Sequence, residues 1–190
     1  MKKLTALLTA LLLIASCLPF ALAEEAAAPS SHILVVYFSA TGTTRGVAEK
    51  LAEGLGCDLY EIVPAEPYTD ADLNYNDSQS RTSIETDDPS CRPAIAGELP
   101  DLAPYDTVLI GYPIWWGDVP RIVSNFVESV DLTDKTIAVF FTSGSSGLGN
   151  SMKHLEEQAG AGTWLEGKRF SRNAGADELA DWAASLGIEP

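Results

Sequence analysis

The stretch from Ile33 to Leu55, ILVVYFSATGTTRGVAEKLAEGL, constrains this chain most. Ile33 to Phe38 is an unbroken apolar run, which suits a strand buried on both faces, as in a parallel sheet covered by helices. Helical spacing follows: Val47, Ala48, Leu51, Ala52 and Leu55 share one face, with Arg45, Glu49, Lys50 and Glu53 largely elsewhere. Between them lies Ser39-Ala40-Thr41-Gly42-Thr43-Thr44, four hydroxyls and one glycine in six residues. Such a loop gathers unpaired backbone N–H groups at the positive end of a helix dipole, where an anion fits. Hydroxyls of Ser39, Thr41, Thr43 and Thr44 could donate to phosphate oxygens while Gly42 lets the backbone turn closely around them. The plainer alternative is that they only cap the helix, for which one or two suffice. The loop lacks the lysine of a nucleoside-triphosphate loop and two glycines of a dinucleotide loop, which argues against a triphosphate.

Two further strands open into informative loops. Thr107 to Tyr112 leads into Pro113-Ile114-Trp115-Trp116-Gly117-Asp118-Val119-Pro120. Large rings in a surface loop are costly unless something covers them, and a flat π system would cover one while the other packs on the core. Asp118 reads as the N-cap of a helix through Val130 that buries Ile122, Val123, Phe126 and Val127. Thr136 to Phe141 opens into Thr142-Ser143-Gly144-Ser145-Ser146-Gly147-Leu148-Gly149-Asn150, whose glycines permit close backbone approach, although Gly/Ser loops also serve as linkers. Cys57 to Val63 reads as the second strand, Met152 to Ala159 as a helix, Thr163 to Phe170 as a fifth, edge strand, and Asp177 to Leu186 as a closing helix.

The first loop resembles the (S/T)-x-T-G-x-T phosphate loop of the flavodoxin family through Ser39, Thr41, Gly42 and Thr44. The other two loops stand where that family places its second and third flavin loops. The resemblance implies a flavodoxin-like three-layer α/β/α sandwich over residues 32–190 with a five-stranded parallel sheet. It also supplies the strand order 2-1-3-4-5 and a cofactor, FMN, at the switch between strands one and three. By resemblance, FMN contacts Ser39, Thr41, Gly42, Thr43 and Thr44, then Pro113, Ile114, Trp115, Trp116 and Gly117, then Thr142, Ser143, Gly144, Ser145 and Gly147. One of Trp115 and Trp116 would flank the flavin, and the Trp116–Gly117 peptide would turn to meet flavin N5. The long polar stretch from Pro64 to Pro104 looks like the insertion of one subfamily, matched at Tyr68, Asp72, Tyr75, Arg81 and Arg92-Pro93. If it folds over the flavin edge, Tyr75 and Arg81 are best suited to touch flavin or substrate; otherwise it is a solvated loop.

Lys2 and Lys3 precede an apolar run to Ala23, the pattern of an export signal over 1–23, followed by an Ala-rich linker over 24–31. Cleavage after Ala21-Leu22-Ala23 is the reading taken, with lipid attachment at Cys17 or an uncleaved membrane anchor as alternatives. An exported, periplasmic or extracytoplasmic protein is expected. Loss of the leader takes the formal charge from −15 to −17, which excludes nucleic acid as a natural partner. Cys57 and Cys91 fit either a disulfide or two free thiols, and no CxxC pattern supports a metal.

The expected function is that of an FMN-dependent redox protein, which transfers electrons to a partner protein or reduces quinone-like or aromatic substrates with NAD(P)H. The alternative is a non-catalytic binding domain that uses the loops for another anion or a protein partner, against which the intact phosphate, aromatic and glycine loops argue. Hydrolysis lacks support, since only His32 and His154 exist and no Cys–His or Ser–His–Asp set is evident.

Overall fold

The computed structural model describes residues 32–189; the expected leader, the linker and Cys17 lie outside the described residues. In chain order the elements are β1 (Ile33–Tyr37), α1 (Thr43–Leu55), β2 (Asp58–Glu61), α2 (Arg81–Asp87), β3 (Thr107–Pro113), α3 (Arg121–Ser129), β4 (Thr136–Thr142), α4 (Ser151–Ala159), β5 (Thr163–Trp164), β6 (Lys168–Phe170) and α5 (Ala176–Ser185). Every strand pairing is parallel, in the order β2-β1-β3-β4-β5, with β6 continuing along β4. This is the expected order 2-1-3-4-5, with the fifth position divided between two short strands.

Alternation along the strands builds the three layers. Leu34, Val36, Val108, Ile110, Tyr112, Ile137 and Val139 face one side, where Ile122, Val123, Phe126 and Val127 of α3 and Leu155 of α4 cover them. Ile33, Val35, Tyr37, Leu109, Ala138 and Phe140 face the other, under Val47, Leu51 and Leu55 of α1 and Leu179 and Trp182 of α5. Gly111 lies opposite Phe140 in the β3–β4 register, and a Cβ there would stand 2.2 Å from the Phe140 ring. The ring occupies the space that any other residue at 111 would need.

The expected continuous strand from Thr163 to Phe170 is broken for a related reason. Leu165, Glu166 and Gly167 span a gap that Ala138 and Val139 span on β4, so one extra residue enters the fifth strand. That residue reverses the facing of everything after it: Trp164 packs with the α3 side, and Phe170 joins the α1/α5 side at 5.3 Å from Trp182. Gly167 sits in the bulge, where a Cβ would meet Val139 Cγ2 at 2.4 Å.

The polar stretch after β2 forms no strand of the sheet, yet it is anchored. Pro64 pairs with Ile95 in an isolated bridge, α2 lies between, and the return to β3 docks on α3. There Arg92 binds the Glu128 carboxylate at 2.7 and 2.6 Å, and Asn125 Nδ2 donates to the Pro93 carbonyl at 2.9 Å. Cys57 and Cys91 are both free thiols, and burial pushes the Cys57 thiol up to about 11.

Candidate functional site

Because all the strands run one way, the loops after β1, β3 and β4 collect at the C-terminal edge of the sheet. They enclose a cleft of about 470 Å³, within the ordinary size range of small-molecule sites. Its walls include Ser39, Thr41, Thr43 and Thr44 from the first loop, Pro113, Ile114 and Trp115 from the second, and Thr142, Ser143 and Gly144 from the third. Three candidate loops far apart in sequence thus meet at one place. Gly42, Trp116, Gly117, Ser145 and Gly147 stand outside the lining.

The first loop does not cap α1 through its hydroxyls. The N-cap is Gly42 at φ 81°, without a side-chain capping bond, so capping does not consume the hydroxyls. Thr44 is buried and its Oγ1 lies 2.8 Å from Thr142 Oγ1, which ties the first loop to the end of β4. Ser39, Thr41 and Thr43 remain partly or fully exposed around the cleft.

The tryptophans separate clearly. Trp115 is 4% exposed and packs edge-on against Phe38 at 5.3 Å and Tyr68 at 5.1 Å, so it is core that also walls the cleft. Trp116 is 46% exposed and its ring centroid lies 5.4 Å from that of Tyr75, itself a lining residue. Trp115 N–H donates to the Asp118 carbonyl at 3.0 Å and Asp118 N–H returns to Trp115 O at 2.9 Å, closing a tight turn. Its two central residues, Trp116 at φ 52° and Gly117 at φ 79°, are both left-handed, as in a type I′ turn. Glycine accepts that conformation freely; a tryptophan there stores about 1–3 kcal/mol of strain, which the surroundings must hold.

Asp118 supplies part of the hold. Its carboxylate accepts from Val119 N–H at 2.8 Å, contacts His154 Nδ1 at 2.9 Å, and pairs with Arg121 at 3.4 Å. The expected N-cap role therefore passes to Pro120, because the Asp118 backbone is spent on the turn and its carboxylate on two basic side chains. Arg121 also donates to the Glu85 and Thr86 carbonyls, so the same cluster fastens the inserted segment.

Tyr75 stands where the insertion was expected to reach, in the cleft wall beside Leu73. Arg81 does not. Its guanidinium lies over the Tyr68 ring at 4.0 Å, with bonds to Glu85 at 2.6 Å and the Glu66 carbonyl at 2.8 Å. Burial and the bond to Glu85 raise the Tyr68 phenol well above its ordinary value, so it stays protonated as donor to that carboxylate. Sequence reasoning also missed Phe170, the last residue of β6, and Ser171 and Arg172 just after it, which complete the cleft. Their one legible signal is position: they stand at the C-terminal end of a strand adjoining β4.

A flavodoxin family profile matches residues 32–186. The chain belongs to the flavodoxin family. Among solved structures, a protein of Bacteroides eggerthii assigned as a flavoprotein is 44% identical, with a TM-score of 0.78 over 83% of this chain and 98% of that one. A second, from Bacteroides uniformis, is 43% identical with a TM-score of 0.76 over 80% and 97%. A flavoprotein of Lactobacillus acidophilus, solved in complex with FMN, shares the fold at 24% identity and a TM-score of 0.59 over 72% and 91%. A comparison with curated proteins gives no match.

Proposed function

We propose that this flavodoxin-family protein binds FMN in the cleft and acts as an exported redox protein. One observation carries the reading: phosphate-type hydroxyls, an aromatic wall and a glycine-rich loop, from three separate loops, line a single cleft to which, among the described residues, no carboxylate contributes. The residues fit the group. Ser39, Thr41 and Thr43 with the first turn of α1 suit the phosphate, Trp115 and the Trp116–Tyr75 pair suit the ring, and Ser143 with Gly144 admits close backbone approach. Membership in the family and the flavoproteins among its relatives support the choice of FMN over another anion.

Bound FMN would supply one- and two-electron redox chemistry. The chain holds the phosphate, covers the ring, and sets its electrostatic surroundings. An excess of acidic residues disfavours added negative charge on the ring and lowers its potential. The reaction served is electron transfer to a partner protein or NAD(P)H-dependent reduction of quinone-like or aromatic acceptors. The apolar run read as a leader over residues 1–23 supports an extracytoplasmic site for this chemistry, with Cys17 as the alternative lipid site.

Purified protein loaded with FMN and supplied with NADH or NADPH and a quinone separates the roles. Steady turnover assigns an enzyme; reduction only by an added redox protein assigns a carrier; failure to take up FMN removes both.

A further inference from the structure

In this chain of 27 acidic and 12 basic residues, the one charged side chain among the described residues that lines the cleft is positive: Arg172. Arg45, Arg81, Arg92 and Arg121 are each paired with a carboxylate, from Glu61, Glu85, Glu128 and Asp118. Arg172, among the described residues, has no ion pair or hydrogen bond, and it is exposed at the cleft. Arg169 is likewise unpaired but stands outside the lining.

The fold says which end of the cleft Arg172 serves. It follows Phe170 by two residues, Phe170 pairs with Thr142, and the Thr142 hydroxyl is bonded to Thr44 in the first turn of α1. Phe170 belongs to the α1/α5 side of the sheet, whereas Trp115 belongs to the α3 side. Arg172 lines the same cleft as the hydroxyl loop, and the link from Phe170 through Thr142 to Thr44 points to the start of α1 as the end it serves.

We infer that Arg172 is a binding residue for the cofactor's phosphate; this rests on the FMN reading. Hydroxyl and backbone N–H donors carry no net charge, and a phosphate monoester near −2 is repelled by a protein of formal charge −15. A guanidinium offsets that repulsion locally and offers a planar fork that matches two phosphate oxygens. An arginine left unpaired in so acidic a chain keeps its charge for the ligand. Because it is exposed, its contribution falls with ionic strength.

The test titrates the full chain, freed of flavin, with FMN and with riboflavin at about 20 mM and about 500 mM salt, following flavin fluorescence. Arg172→Gln should weaken FMN roughly tenfold at low salt and less at high salt, leave riboflavin unchanged, and recover in part as Arg172→Lys. Equal weakening of both ligands, or unchanged FMN affinity and salt dependence, overturns the assignment while leaving FMN binding intact. A wild-type chain that takes up neither ligand overturns the FMN reading itself, and this assignment with it.

Discussion

Thr44 Oγ1 and Thr142 Oγ1 meet at 2.8 Å, joining the start of α1 to the end of β4 across 98 residues of sequence. Both side chains are buried, so each hydroxyl depends on the other. The pair holds the first turn of α1 against the end of β4, which fixes the distance between the hydroxyl loop and the glycine-rich loop.

Thr44→Val keeps the shape and removes one hydroxyl. Stability should fall by about 1–3 kcal/mol in chemical denaturation, because Thr142 is left buried without its partner. The double variant with Thr142→Val should recover much of that loss. If the single and double variants lose the same amount, the two hydroxyls are not coupled in this way.

The tryptophans should respond in opposite ways. Truncating Trp115 to Ala empties core between Phe38 and Tyr68 and should cost about 3–5 kcal/mol of folding stability. Trp116→Ala, at a half-exposed position, should change stability by less than about 0.5 kcal/mol yet weaken flavin by roughly 1–3 kcal/mol and raise bound-flavin fluorescence. Denaturation and titration of the two variants check this together; loss of flavin affinity confined to Trp115→Ala would reverse the roles.

The link between the inserted segment and α3 should be acid-sensitive. Arg92, bonded to Glu128, holds that carboxyl below its usual range. A carboxyl whose folded value is depressed stabilises above its ordinary value, near 4.3, and the contribution disappears as pH falls through the depressed one. Glu128→Gln should therefore lower stability by about 0.5–1 kcal/mol at neutral pH, after allowance for solvent screening, and by progressively less as pH falls below the ordinary carboxyl range. A pH-independent difference would assign the loss to packing instead.

Much of this arrangement was legible in the chain. The apolar runs at Ile33, Thr107 and Thr136 mark central strands because each is buried on both faces. The strand order came through the family resemblance, since local patterning carries no information about which strands pair. Helical spacing in α1 and α3 located their buried faces. What was not legible depends on distant partners. The bulge at Leu165 to Gly167 answers to Val139, the roles of Trp115 and Trp116 answer to Phe38 and Tyr68, and Arg81 is turned inward by Glu85. Arg172 carried no motif at all; only the register of β6 on β4 brings it to the cleft.

Titration of the flavin-free chain with FMN tests the central claim most directly, by absorbance for stoichiometry and fluorescence for affinity. One FMN per chain should bind, with its fluorescence strongly quenched by the aromatic wall and its affinity above that of riboflavin. A chain that stays colourless once excess FMN is removed, and leaves the fluorescence of about micromolar FMN unchanged when protein is added to roughly a hundredfold excess, would contradict the assignment of this cleft to flavin.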